Sequence, residues 1–182
     1  MSELHNEPLT FEKVWAALME NREQMKDTDR RMKETDRLIG ELSNRFGEIA
    51  EHLVLPGIVE KFNTLGFRFN KDCTGAKFRD HTTGRTLAEV DILLENGEVV
   101  IAVEVKTKLR DKDVDAHIAR MEVLRSTADF RGDSRKYRGA IAAAILTDET
   151  RSYAHAAGFY VIEQSGDTMK LEIPEGFIPR EW

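Results

Sequence analysis

Residues 89–106 read Glu-Val-Asp-Ile-Leu-Leu-Glu-Asn-Gly-Glu-Val-Val-Ile-Ala-Val-Glu-Val-Lys, two apolar runs separated by a short polar break. Asn-Gly is the pair that a two-residue type I′ turn favours, because both central residues need positive φ. With Asn96 and Gly97 as those residues, Glu95 faces Glu98, Asp91 faces Ala102 and Glu89 faces Glu104. Directly opposed residues share a face of the sheet, and so do residues two apart on one strand. The register therefore predicts Asp91, Glu104 and Lys106 on one face and Val90, Ile92, Val103 and Val105 on the other.

Diagonal neighbours in such a hairpin have Cβ atoms roughly 7 Å apart, so Asp91 and Glu104 can reach one hard cation. Magnesium is held by one or two carboxylates with waters and a phosphate completing its shell. Lys106, one step beyond Glu104 on the same face, is placed to orient or activate a water or to neutralise charge on a phosphate. Without a cation, Glu89 against Glu104 would set like charges across a strand pair, which is destabilising.

Asp91, a gap of about a dozen residues, then Glu104-Val105-Lys106 resembles the signature of the PD-(D/E)XK nuclease superfamily, over roughly residues 47–162. The residue before Asp91 is Val90 rather than proline, at a position that varies in that superfamily. The resemblance implies an α/β restriction-endonuclease-like core, a central mixed sheet flanked by helices. It also implies hydrolysis of phosphodiester bonds, with DNA the leading substrate. Asp91, Glu104 and the Val105 carbonyl would hold magnesium or manganese, and Lys106 would serve the attacking water. In the superfamily a helix before the sheet often adds an acid, and Glu48 and Glu51 both match. Glu51 is the choice, because it heads the line Leu55, Ile58, Phe62 at helical spacing.

The rest of the chain fits the same order. Residues 47–65 form an apolar helix, with Pro56 predicting a kink or break near Gly57. A strand is expected at 74–80 and a turn at His81–Gly84. A helix at 111–128 carries the stripe Val114, Ile118, Met121, Leu124, which leaves Asp115 and His117 facing solvent. Residues 139–146 read as a strand buried on both faces, 150–157 as a helix, 158–162 as a strand and 169–173 as one more. The segment from Lys106 to Arg138 is locally basic; Lys108 and Arg110, leaving the active strand, are the candidate phosphate contacts.

Residues 1–46 form a separate arm before a nuclease-like domain at 47–182. Leu18, Met25, Met32, Ile39 and Phe46 recur every seven residues, as the a positions of a heptad do. Asn21, Thr28, Thr35, Leu42 and Ile49 fall at d, and Asp27 with Arg31 or Asp29 with Lys33 add small support along the helix. A long helix so thin in apolar residues does not stand alone, and a homodimeric coiled coil is the expectation; a charged helix lying along its own domain is the alternative.

The net charge is −6, with 33% charged residues, so only a local face can meet nucleic acid. No apolar run reaches the roughly 20 residues of a membrane span, and no secretory leader is legible. Cys73 is the single cysteine, which removes an internal disulfide and a cysteine-based zinc site; a cytoplasmic setting is expected. There is no Gly-x-Ser-x-Gly, Walker loop or Gly-x-Gly-x-x-Gly. Besides a nuclease, an inactive nuclease-like binding or assembly module carried on a coiled coil fits the same residues.

Overall fold

The alternating valines, isoleucines and leucines of the central stretch build two strands, β2 (Thr86–Glu95) and β3 (Val99–Lys108), in a computed structural model. It describes residues 10–166 and 168–182, without the side chains of residues 42–46 and 48–50. The chain divides into two compact units, Met1–Arg45 and Phe46–Trp182.

Helix α1 spans Phe11–Thr64 with Pro56 inside it, so of the kink or break expected near Gly57 the break does not occur. Proline removes the donor to the carbonyl of His52, but both residues are solvent-exposed, where water can satisfy that carbonyl. In the first unit the heptad positions Leu18, Met25, Met32 and Ile39 are 57%, 65%, 58% and 57% exposed. Thr28 and Thr35, at d, bond their hydroxyls back to the carbonyls of Gln24 and Arg31, which meets their polar demand within the helix. The Arg31–Asp27 pair forms at 2.8 Å. The Phe46, Leu42 and Ile49 heptad assignments lie outside the described side chains.

The second unit is an α/β fold around a six-stranded sheet in the order β1 to β6. β1 (Lys71–Arg79) pairs antiparallel with β2, and β2 with β3; β4 (Lys136–Ile145) is parallel to β3, β5 (Tyr160–Ser165) is parallel to β4, and β6 (Thr168–Glu172) closes antiparallel. Parallel neighbours need crossovers, supplied by α2 (Asp111–Phe130) and α3 (Asp148–Ala156). Both cover one face, where Val114, Met121, Leu124 and Ala154 pack on Val100, Ala102 and Ile141. Ile58 and Phe62 of α1 pack on the other face against Ile92, Ile101 and Val103.

β4 is small for a reason. A Cβ at Gly139 would come within 2.2 Å of the Phe159 ring, and that ring lies 4.8 Å from the imidazole of His117. His117 is fully buried, which corrects the solvent-facing expectation. The inward stripe of α2 is Val114, His117, Met121 and Leu124, with His117 where Ile118 was expected; Asp115 does face solvent.

Two features of the hairpin differ from expectation. The observed register pairs Leu93 with Ala102 and Glu95 with Val100, so Gly97 and Glu98, not Asn96 and Gly97, span the turn. The Asn96 side chain accepts the amides of Glu98 and Val99 at 2.9 and 2.8 Å. This side-chain turn does without positive φ at Gly97. Glu89 is accordingly not opposed to Glu104; it pairs with Lys77 of β1.

The second feature is a roll shared by β1 and β2. Thr74 pairs with Ile92 and Ala76 with Val90, while Gly75, at φ +61°, and Asp91 between them are unpaired. Val90 and Leu93 consequently both pack on the α2 side, three residues apart, and Ile92 packs on the α1 side. Val90 therefore does not share a face with Ile92, Val103 and Val105.

Candidate active site

Asp91 sits at this roll. The pairing of β2 with β3 is recorded only as far as Ile92 and Val103; continuing the same register would set Asp91 across from Glu104. There the ladder gives way to a side chain: the Val105 amide donates to Oδ2 of Asp91 at 2.7 Å. Burial raises the Asp91 carboxyl above the ordinary aspartate value and the charge of Glu104 raises it further, against the Val105 amide, Lys106 and Arg120.

Glu104 follows Val100 and Ala102 on the α2 face of β3 and is 3% exposed. A carboxylate so buried needs partners, and it has two. Lys106 Nζ lies 2.6 Å from Oε1, and Arg120 of α2 donates from Nη1 to Oε2. Burial works against the charge of Lys106, but the hydrogen bond and charge of Glu104, backed by Asp91 and Asp113, hold its ammonium above the ordinary lysine value. Lys106 therefore enters as a cation, suited to orienting a water or neutralising a phosphate.

Arg120 is itself held. Its Nη1 lies 3.1 Å from Nδ1 of His117, whose Nε2 lies 3.2 Å from the carbonyl of Ala102. A carbonyl only accepts and a guanidinium only donates, so the imidazole carries its proton on Nε2 and accepts at Nδ1. It is thus neutral, in keeping with burial pushing its pKa down to about 4. Neither residue was singled out as functional from sequence. The available signal was a histidine at the inward position between Val114 and Met121, three residues before an arginine.

Lys108 and Arg110 are exposed just beyond Lys106, Arg110 as the residue capping α2, with its amide bonded to Asp113 Oδ2 at 3.0 Å. Glu51 lies half-buried on α1. Among the described residues no three acids, histidines or cysteines gather as a metal-ligand group, so Glu51 is not brought together with Asp91 and Glu104 in this way. The Glu48 side chain lies outside the described residues. A groove of about 790 Å³ near Phe78, Phe130 and Tyr137 is at the other end of α2 and contains none of these groups.

Asp91 and Glu104 are the two acidic side chains that a hard divalent cation could meet here. Two carboxylates from adjacent strands stand together, the charge on Asp91 disfavoured first by burial and then by Glu104, and Oδ1 of Asp91 has no partner among the described residues. Two carboxylates leave room for the waters magnesium keeps. No family model matches this chain, and neither a curated protein nor a solved structure does. No helix among the described residues is long and apolar enough to cross a membrane.

Proposed function

We propose that the chain is a metal-dependent nuclease hydrolysing phosphodiester bonds in DNA, on a restriction-endonuclease-like core. The observation that carries this reading is the meeting of Asp91 and Glu104 from neighbouring strands, with the Lys106 ammonium 2.6 Å from Glu104. Asp91, Glu104 and the Val105 carbonyl would hold magnesium or manganese. A cation there supplies charge stabilisation at the scissile phosphate. Lys106 orients the attacking water, and Lys108 and Arg110 hold the flanking backbone. The exposed heptad stripe of α1 pairs with that of a second copy, giving a homodimer.

One observation favours a second reading, an inactive assembly module. Both oxygens of Glu104 are already ion-paired, by Lys106 and Arg120, a network that is balanced without a cation.

Purified protein with manganese or magnesium, tested on linear, circular, single-stranded and branched DNA and on RNA, separates the two. Cutting that EDTA and Lys106→Ala both abolish supports the nuclease and reveals its substrate. No cutting at high enzyme concentration, together with no manganese binding, would overturn it in favour of the assembly module.

A further inference from the structure

Arg120 has more hydrogen-bonding capacity than its position uses. A guanidinium carries five N–H donors. Here Nη1 serves both Glu104 and His117, while Nε and Nη2 have no partner among the described residues. The side chain is 22% exposed, so its uncommitted edge can meet a ligand entering beside the two carboxylates. A planar pair of N–H groups matches a phosphate or other oxyanion in two-pronged fashion.

Glu104 has lone pairs beyond its two ion pairs, but a divalent cation bound to it would stand beside two positive charges, Lys106 and Arg120. Lys106 is tethered on the same strand, two residues away. Arg120 comes from α2 and is secured from behind by a neutral imidazole, a contact that holds one nitrogen and leaves the plane free to turn. We propose that Arg120 is an exchange residue. It balances Glu104 in the metal-free protein, gives up that carboxylate when a divalent cation binds, and turns its free edge to a non-bridging oxygen of the scissile phosphate. His117 is the positioning residue that keeps Arg120 near the site during the exchange. The assignment rests on the nuclease reading of Asp91 and Glu104 and adds to it the group that contacts the phosphate.

The test compares full-length wild type with Arg120→Ala, Arg120→Gln, Arg120→Lys and Asp91→Ala, reading manganese affinity by calorimetry and cleavage at saturating metal. Arg120→Gln stands in if the alanine variant does not fold. Removing the competing cation is expected to tighten manganese binding about tenfold, the lower end of the coupling between close charge pairs. It should also lower kcat about 10²–10³-fold, as loss of one oxyanion donor does. Arg120→Lys keeps the charge but not the fork, so its affinity stays near wild type while its kcat remains low. Weaker manganese binding in Arg120→Ala would make Arg120 a support of the metal site and overturn the exchange. Unchanged affinity or unchanged kcat would do the same. If wild type and Asp91→Ala alike bind no manganese, the nuclease reading fails as well, a result distinct from a wild type that binds metal regardless of Arg120.

Discussion

The amide of Val105 donates to the carboxylate of Asp91 at 2.7 Å, a side chain standing in for the backbone acceptor that β2 no longer presents. The carboxyl of Asp91 is raised by burial and by Glu104, so the metal-free fold favours its protonated form. That contribution is full at pH below the ordinary aspartate range and is lost as pH rises through the raised value. Asp91→Asn keeps an acceptor for Val105 and removes the charge. It should raise the Tm of the metal-free protein at neutral pH, by about 2–4 °C per kcal/mol relieved, and the gain should vanish on acidification. Asp91→Ala also orphans the amide and should be about 1–3 kcal/mol less stable than Asp91→Asn. Melting curves in EDTA across pH check both signs.

The ion network at the turn end of the sheet has the opposite pH sense. Burial pushes Glu95 up, but Lys71 and Arg135 outweigh it and hold it below the usual range, while Arg135 holds Asp133 well below. Lowered carboxyls contribute stability above the unfolded value that is lost as pH falls through the folded one. Arg135→Ala removes the partner common to both, so acid unfolding should begin at a higher pH than in wild type. Far-UV circular dichroism during acid titration reads this; coincident titrations would refute it.

Close packing at β4 makes a sharper steric forecast. The Phe159 ring that a Cβ at Gly139 would strike is fully buried, stacked on Trp182 and beside His117. Gly139→Ala should cost about 1–3 kcal/mol in urea unfolding, and a compensating Phe159→Leu should recover part of it. A Gly139→Ala protein as stable as wild type would mean that the ring has room to move.

The arm predicts assembly. Charged residues at Met25 and Met32, as in a Met25→Glu, Met32→Glu double variant, put repulsion into the exposed stripe. Sedimentation equilibrium should show a dimer for wild type and a monomer for the variant. Equal masses would dispose of the coiled coil.

Much of the site was legible because period-two alternation survives any even shift of register. Asp91, Glu104 and Lys106 were grouped correctly although Asp91 does not face Ala102. What escaped depended on partners remote in sequence. The Asn96 side chain replaced the turn that Asn96-Gly97 suggested, and Gly75 of β1 rolled Val90 to the α2 face. Arg120 was one basic residue among many on a charged helix, with nothing local to mark it. His117 passed for a surface residue because Ile118 beside it made the more apolar stripe; only the space left by Gly139 shows why the imidazole turns inward.

The contacts that assemble the site span 14, 15 and 16 residues, Asp91 to Val105, Ala102 to His117 and Glu104 to Arg120. Closing a loop of that length costs only about 1 kcal/mol more than closing a tight turn, since each doubling adds about 0.6 kcal/mol. A chain emerging from synthesis that has formed only the β2–β3 hairpin and α2 already holds Asp91, Glu104, Lys106, His117 and Arg120. The strands that follow anchor a constellation whose members are neighbours along the chain, so it is held together by contacts of short sequence range.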